Sequence, residues 1–369
     1  MRYIGTDIET SVNNLSVSYT DEGPDEAPVI ILIHGFPFNK SMWNKQVEML
    51  IENYRVIAYD IRGFGNSGSG PVDFSIELFA DDLLGLMDVL KIEKAMLCGL
   101  SMGGYIALYA VENFPKRFNA LILCDTTCMA DTPEGIKKRM STIESIQEKG
   151  VAPYANENIK NLFSPESFVT SREKIAVVKK MIMETSVQSL SRTLFALSRR
   201  KETCTKLAGI MVPVLIVVGK EDKITPPEAA LLMQKNIKGS ILNIIEHAGH
   251  LSNIENSFEF NDQLLKFVSS VYQQSDQHTR RDRLVTEVLN SRKITKDEKL
   301  LLDLNSKILK ITMTIKDNYP ELSKYLDEMP ITIPSEKDPE VTLNLLKEYY
   351  ETLHSILNKY KMEYPIIEE

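Results

Sequence analysis

The run "AMLCGLSMGGYIALYA", residues 95–110, changes character at Gly99-Leu100-Ser101-Met102-Gly103-Gly104. A serine hydroxyl is a poor nucleophile at neutral pH. It becomes useful when a base takes its proton and fixed donors stabilise the oxyanion formed on attack. Gly-x-Ser-x-Gly between a strand and a helix suits that chemistry: the turn lifts the side chain out of the sheet, strains the residue and demands small neighbours. The competing reading of Ser101 is an ordinary helix N-cap.

A base and an acid are then expected past later strands, in the order Ser, acid, His. "VLIVVG" (214–219) is followed by Lys220-Glu221-Asp222, and "ILNIIE" (241–246) by His247-Ala248-Gly249-His250. His250 is the expected base, because it follows Gly249 and precedes the helix-like "LSNIENSFEFNDQLLKFV"; His247 reads as a loop residue. Asp222 is the expected acid, with Glu221 and Asp125 as competitors. His34, in His34-Gly35-Phe36-Pro37, reads as shaping a turn rather than as a base. The backbone N–H groups of Phe36 and Met102 are the expected oxyanion donors. Trp43, the single tryptophan, either packs in the core or lines the substrate pocket. Such chemistry needs neither metal nor organic cofactor, and none is expected.

These residues need a scaffold. The runs "VIILIH" (29–34), "RVIAYD" (55–60), "AMLCG" (95–99), "ALILCD" (120–125), "VLIVVG" and "ILNIIE" suit strands buried on both faces, several of them without polar alternation. That pattern predicts a mostly parallel sheet covered by helices. "SIELFADDLLGLMDVL" (75–90) predicts a helix capped by Ser75, and "NNLSVSYTDEGP" an antiparallel hairpin at the edge.

The motifs together resemble the α/β-hydrolase superfamily: His34-Gly35-Phe36-Pro37, then Asp60-Ile61-Arg62-Gly63-Phe64-Gly65-Asn66-Ser67, then Gly99 to Gly104, Gly219 to Pro226, and Gly249-His250. The resemblance covers residues 1–272. It implies an α/β-hydrolase fold, with an eight-stranded sheet and a helical cap between strands six and seven. Related dehalogenases and epoxide hydrolases carry aspartate where this chain has Ser101. "LCGLSMGG" and "LILCDTT" most resemble 3-oxoadipate enol-lactonases and related carboxylesterases. The implied reaction is cleavage of a small carboxylic ester or lactone. Two alternatives stay open: a cofactor-free perhydrolase or haloperoxidase-type activity, and a slow-turnover ligand receptor. Asp60, Arg62 and Ser67 read as a structural loop. Ser257 stands where relatives usually place a proline.

The chain has 369 residues, 43% hydrophobic and 25% charged, with a net charge of −8. That balance argues against a duplex nucleic-acid partner. The N-terminus lacks a basic region followed by an apolar run, and nowhere do about 18 apolar residues follow one another. No membrane partner is expected, and the expected location is cytoplasmic. Cys98, Cys124, Cys128 and Cys204 have no CxxC spacing and are expected as reduced thiols.

The expected domains are a core of residues 1–127 and 207–272, a helical cap at 128–206, a linker at 273–295 and a helical C-terminal domain at 296–369. The cap holds 14 Lys/Arg against 9 Asp/Glu, which reads as a solvated surface or as an electropositive lid. Beyond the basic linker, Leu300, Leu301, Leu304, Ile308, Ile311 and Ile315 form one stripe, and Leu345, Leu346, Tyr349, Leu353, Ile356, Leu357 and Tyr360 another. Asp338-Pro339-Glu340 reads as the start of the second helix. Two such stripes call for a partner surface: the chain's own core or, through these helices, a homodimer.

Overall fold

The computed structural model describes residues 4–273 and, in the C-terminal segment, the helix Pro339–Glu363 with separate positions between 300 and 322. Eight strands form one sheet: β1 (Ile4–Val12), β2 (Leu15–Glu22), β3 (Val29–Ile33), β4 (Arg55–Tyr59), β5 (Ala95–Leu100), β6 (Phe118–Cys124), β7 (Val214–Gly219) and β8 (Ile241–Ile245). Their order is β1-β2-β4-β3-β5-β6-β7-β8. The β1–β2 hairpin joins β4 antiparallel, and every later pairing is parallel.

From β3 to β7 the apolar runs are continuous because both faces of the sheet are covered, whereas β8, at the edge, buries only Ile245. Side chains alternate across a strand, so Ile31 and Ile33 enter one core while Ile30 and Leu32 enter the other. The first core also takes Phe79, Leu83 and Ile106 from helices α2 (Ile76–Val89) and α3 (Met102–Asn113). The second takes Leu50 from α1 (Asn44–Leu50), with Phe260, Leu264 and Val268 from the helix 257–273. Each fully buried Ile or Leu contributes roughly 1.5–3 kcal/mol. Ser75 caps α2 as expected, its hydroxyl accepting from the Leu78 amide.

Between β6 and β7 the chain forms only helices: α4 (Pro133–Lys149), α5 (Val151–Leu162), α6 (Ser167–Thr170), α7 (Arg172–Glu184), α8 (Val187–Ser198) and a short 3₁₀ turn, Cys204–Gly209. The helical stretch at 174–200 breaks at Thr185-Ser186, where the Ser186 hydroxyl accepts from the Ser189 amide and starts α8. The insertion's excess of basic residues is partly committed to internal partners. Arg139 and Arg200 both pair with Asp131, Arg200 lies 3.9 Å over the Tyr105 ring, and Arg192 lies 3.9 Å over Phe74.

The cysteine expectation needs correction. Cys98 and Cys124 are free and buried, but Cys128 and Cys204 form a disulfide. The two are 76 residues apart in sequence, yet they flank the base of the insertion with Cα atoms 4.8 Å apart. Fold proximity, invisible in the spacing, brings them together. Disulfides are uncommon in reducing compartments, so the cysteines lend no support to a cytoplasmic location.

The chain divides into two compact units, Met1–Ser275 and Asp276–Glu369. In the second, Ile315, Tyr319, Leu322, Leu353 and Leu357 form a buried cluster, joined by Ile308, Ile311, Tyr349, Ile356 and Tyr360. The two stripes read from the sequence thus meet each other, which answers within the unit much of their need for an apolar partner. Asp338 and most of the linker lie outside the described residues. Among the described residues, no helix is long and apolar enough to cross a membrane.

Candidate active site

Ser101 follows β5 directly, with φ 53° and ψ −113°. A left-handed φ is strained for a non-glycine residue, and the surroundings hold it there. Its amide donates to the Cys124 carbonyl at 2.9 Å, and the Thr126 hydroxyl donates to its carbonyl at 2.8 Å. The flanking glycines are sterically required. A Cβ on Gly99 would lie 2.2 Å from the Gly103 carbonyl oxygen, and one on Gly103 would lie 2.2 Å from that of Ile33.

His250 and Asp222 converge on this serine. His250 Nε2 lies 2.9 Å from Ser101 Oγ, and His250 Nδ1 lies 2.8 Å from Asp222 Oδ2. Asp222 also accepts from the Ile224 amide at 2.8 Å, the Thr225 amide at 3.0 Å and the Thr225 hydroxyl at 2.8 Å. Burial by itself would raise the Asp222 carboxyl, but the charge of His250 and these hydrogen bonds outweigh it and hold it below the usual range. Burial would lower His250, yet the surrounding carboxylates, Asp222 foremost, raise it above the ordinary histidine value. An ionised Asp222 therefore holds Nδ1–H, leaving the Nε2 lone pair toward Ser101.

The rival residues take other places. Asp125 follows β6 with φ 44° and is fully buried. Its Oδ1 accepts from the Gly219 amide at 2.8 Å, and its Oδ2 lies 2.5 Å from the Ser252 hydroxyl. It thus ties the segment leading to Asp222 to the one leaving His250. Burial, reinforced by the charge of Asp222, raises its carboxyl well above the usual range. Of the three carboxylates weighed as the acid, only Asp222 is hydrogen-bonded to His250. His247 is exposed and pairs with Glu166 at 2.8 Å.

His34 is buried, with Nε2 accepting from the Ile61 amide at 2.9 Å and Nδ1 2.8 Å from the Gly35 carbonyl. Burial lowers its pKa to about 4, so it stays neutral and fixes the turn after β3 to the segment after β4. That segment is itself structural: Asp60 accepts from the Lys40 amide and ammonium, both at 2.8 Å, and Arg62 forms a bidentate pair with Asp82.

The expected donors flank Ser101. Met102 opens α3, where the first amides lack intrahelical acceptors. Phe36 follows Gly35, which lies so close that a Cβ there would sit 3.3 Å from Ser101 Cβ. The Phe36 side chain packs edge-on to Phe64 and against the insertion's Ile146, Leu190 and Leu194. Of the two readings of Trp43, the structure takes the core: it is fully buried in the second core, 6.2 Å from the Phe260 ring, and offers no surface to a substrate. Thr225 and Ser252 escaped the sequence reading, although each is within three residues of an expected site residue. Among the described residues, no cluster of His, Cys, Asp and Glu is arranged to hold a metal ion.

Comparison with known proteins agrees with the fold. Residues 28–149 match the family model for the alpha/beta hydrolase fold. The chain is 28% identical over 251 residues to 3-oxoadipate enol-lactonase 2 of Acinetobacter baylyi, covering 68% of this chain and 92% of that one. A thermophilic esterase from Thermogutta terrifontis superposes with a TM-score of 0.69 at 30% identity, covering 72% of this chain and 99% of the other. The enol-lactonase from Burkholderia xenovorans gives 0.67 at 27%, covering 71% and 100%.

Proposed function

The chain belongs to the α/β-hydrolase fold family, and from that premise we propose that it is a serine hydrolase acting on a small carboxylic ester or lactone. The observation that carries the reading is the continuous path from Ser101 Oγ through His250 to Asp222, with links of 2.9 and 2.8 Å, set on a strained turn. The resemblance to esterases and enol-lactonases supports the substrate class.

Ser101 Oγ attacks the carbonyl carbon while its proton passes to His250 Nε2. The Phe36 and Met102 amides receive the oxyanion, a kind of stabilisation worth about 10²–10³ in kcat per donor. Collapse breaks the carbonyl carbon–oxygen single bond, and the leaving alkoxide takes the proton from His250. Water then attacks the acyl-enzyme, giving its proton to Nε2, and the acid and free Ser101 are released. Asp222 holds the imidazole and offsets its positive charge throughout.

The test combines a fluorophosphonate probe with sustained turnover of short p-nitrophenyl esters and simple lactones. The probe should label Ser101 alone, and turnover should continue beyond one equivalent. Labelling elsewhere would reject the site. Peracid formation dependent on hydrogen peroxide, without comparable hydrolysis, would reassign the second half-reaction.

A further inference from the structure

The His250 loop is held from the side of the insertion as well as from the sheet. The His250 amide donates to the Leu162 carbonyl at 2.9 Å, at the end of α5. A Cβ on Gly249 would lie 2.9 Å from the Ser164 nitrogen and 3.0 Å from the Leu162 carbonyl oxygen, so the two backbones touch and residue 249 has no room for a side chain. Glu255, the last residue of α9 (Ser252–Glu255), joins them and is buried. Its Oε1 accepts from the Gly249 amide at 2.7 Å. Its Oε2 accepts from the Ser164 amide at 2.8 Å and the Ser167 hydroxyl at 2.6 Å. Lys174, on α7, donates to the Glu255 carbonyl at 3.0 Å.

We propose that Glu255 is a positioning residue that fastens the 162–167 turn of the insertion to the His250 loop, so that insertion and imidazole are held as one body. The proposal rests on the reading of Ser101 and His250 as the reacting pair. One carboxylate serves three donors from two segments, a task that an amide fails because its NH₂ faces donors where an acceptor is needed. The groups facing His250 are Asp222 after β7, Asp125 after β6 and Glu255 on α9; burial raises the Asp125 carboxyl well above the usual range. The Glu255 charge adds to those of Asp222 and Asp125 in raising His250. Glu255 therefore acts on both the position and the proton affinity of the base.

The test uses the full chain and p-nitrophenyl acetate. Glu255→Gln should lower kcat by about ten- to a hundredfold and change KM by less than about threefold. It should also move the pH limb of kcat/KM downward, because a negative charge near the imidazole is gone. Ser167→Ala keeps that charge, so it should lower kcat by only about two- to fivefold and leave the limb in place. In both variants, amide hydrogen exchange should quicken together in residues 160–168 and 247–253. A kcat within twofold for Glu255→Gln with an unmoved limb would overturn the proposal, as would exchange that rises in one segment alone. Should Glu255→Gln fail to fold, exchange in Ser167→Ala decides. Absence of Ser101 labelling in the wild type would reject the active-site reading, while the exchange experiment would still judge the fastening.

Discussion

On the rim of the sheet, side chains do the positioning, whereas the insertion reaches the same site largely through its main chain. Ser101 directly follows β5, Asp125 directly follows β6, and Asp222 and His250 lie within five residues of the ends of β7 and β8. The insertion contributes the Leu162 carbonyl to His250 and the Ser164 amide to Glu255, with the Ser167 hydroxyl and Lys174 ammonium also on Glu255 and apolar packing on Phe36. A strand end places a particular side chain, so the residue type there has to suit the chemistry. Main-chain groups belong to any residue, so the insertion's direct hold on the His250 backbone leaves little trace in residue types.

The largest effects should arise on the rim. Ser101→Ala should lower kcat on the order of 10⁶-fold, and Asp222→Asn on the order of 10⁴-fold, by analogy with serine proteases. Both variants should keep the wild-type circular dichroism and melting temperature to within a few degrees. Steady-state kinetics with active-site titration measures this. A mild loss for Asp222→Asn beside a severe one for Asp125→Asn would move the acid to the end of β6.

The same contrast governs what could be read from the sequence. Six apolar runs disclosed six strands, five of them buried on both faces; the sixth, β8, is an edge strand with only Ile245 buried, which corrects its reading as a strand covered on both sides, and the alternating N-terminal segment disclosed the edge hairpin. Ser101, Asp222 and His250 stood out because glycine-flanked polar residues interrupt or follow apolar runs. Cys128 and Cys204 did not stand out, since only the return of the chain to β7 brings them together. Trp43 was ambiguous because a large aromatic suits a core and a pocket alike. Glu255 was overlooked because a single carboxylate near a helix start usually meets solvent, and only its three buried donors show otherwise.

At the base of the insertion, the comparison can be broken chemically. Closing a loop of 76 residues removes unfolded-state entropy worth about 4.5 kcal/mol in the chain-entropy model. Cys128→Ser with Cys204→Ser should therefore lower the denaturation midpoint markedly, while kcat at 25 °C falls by no more than about threefold. Urea unfolding with and without reductant checks this. A collapse of kcat without loss of stability would mean that the disulfide holds the site rather than the insertion's base.

Asp125 and Asp222 both face His250 but should respond differently to loss of charge. Burial and the charge of Asp222 raise Asp125 well above the usual carboxylate range, whereas Asp222 is held below it. Asp125→Asn keeps the side chain's shape and should remove less charge from beside His250 than Asp222→Asn does. It should cost less than about tenfold in kcat/KM and leave the pH limb nearly in place. In the wild type, His250 acts as a base only when neutral, and its proton affinity is raised. Activity should accordingly rise with pH through a limb above about 6.5, the ordinary histidine value. A clear downward movement of that limb in Asp125→Asn would show that Asp125 carries charge beside the imidazole.

The smallest effect is expected from the C-terminal unit. Ser101, His250, Asp222, the Phe36 and Met102 amides and the insertion all lie within the unit Met1–Ser275. The second unit buries Ile315, Leu322, Leu353 and Leu357 in a cluster of its own. Truncation after Ser275 should leave kcat and KM for short esters within about threefold, with an unchanged pH limb. Light scattering on the truncated and full-length chains tests the homodimer expected from the stripes. A truncated chain with half the assembly number would show that the stripes pair copies as well as each other. If truncation instead abolished activity while the chain stayed folded, the division between a catalytic unit and a separate C-terminal unit would fall, because residues beyond 275 would then build part of the site.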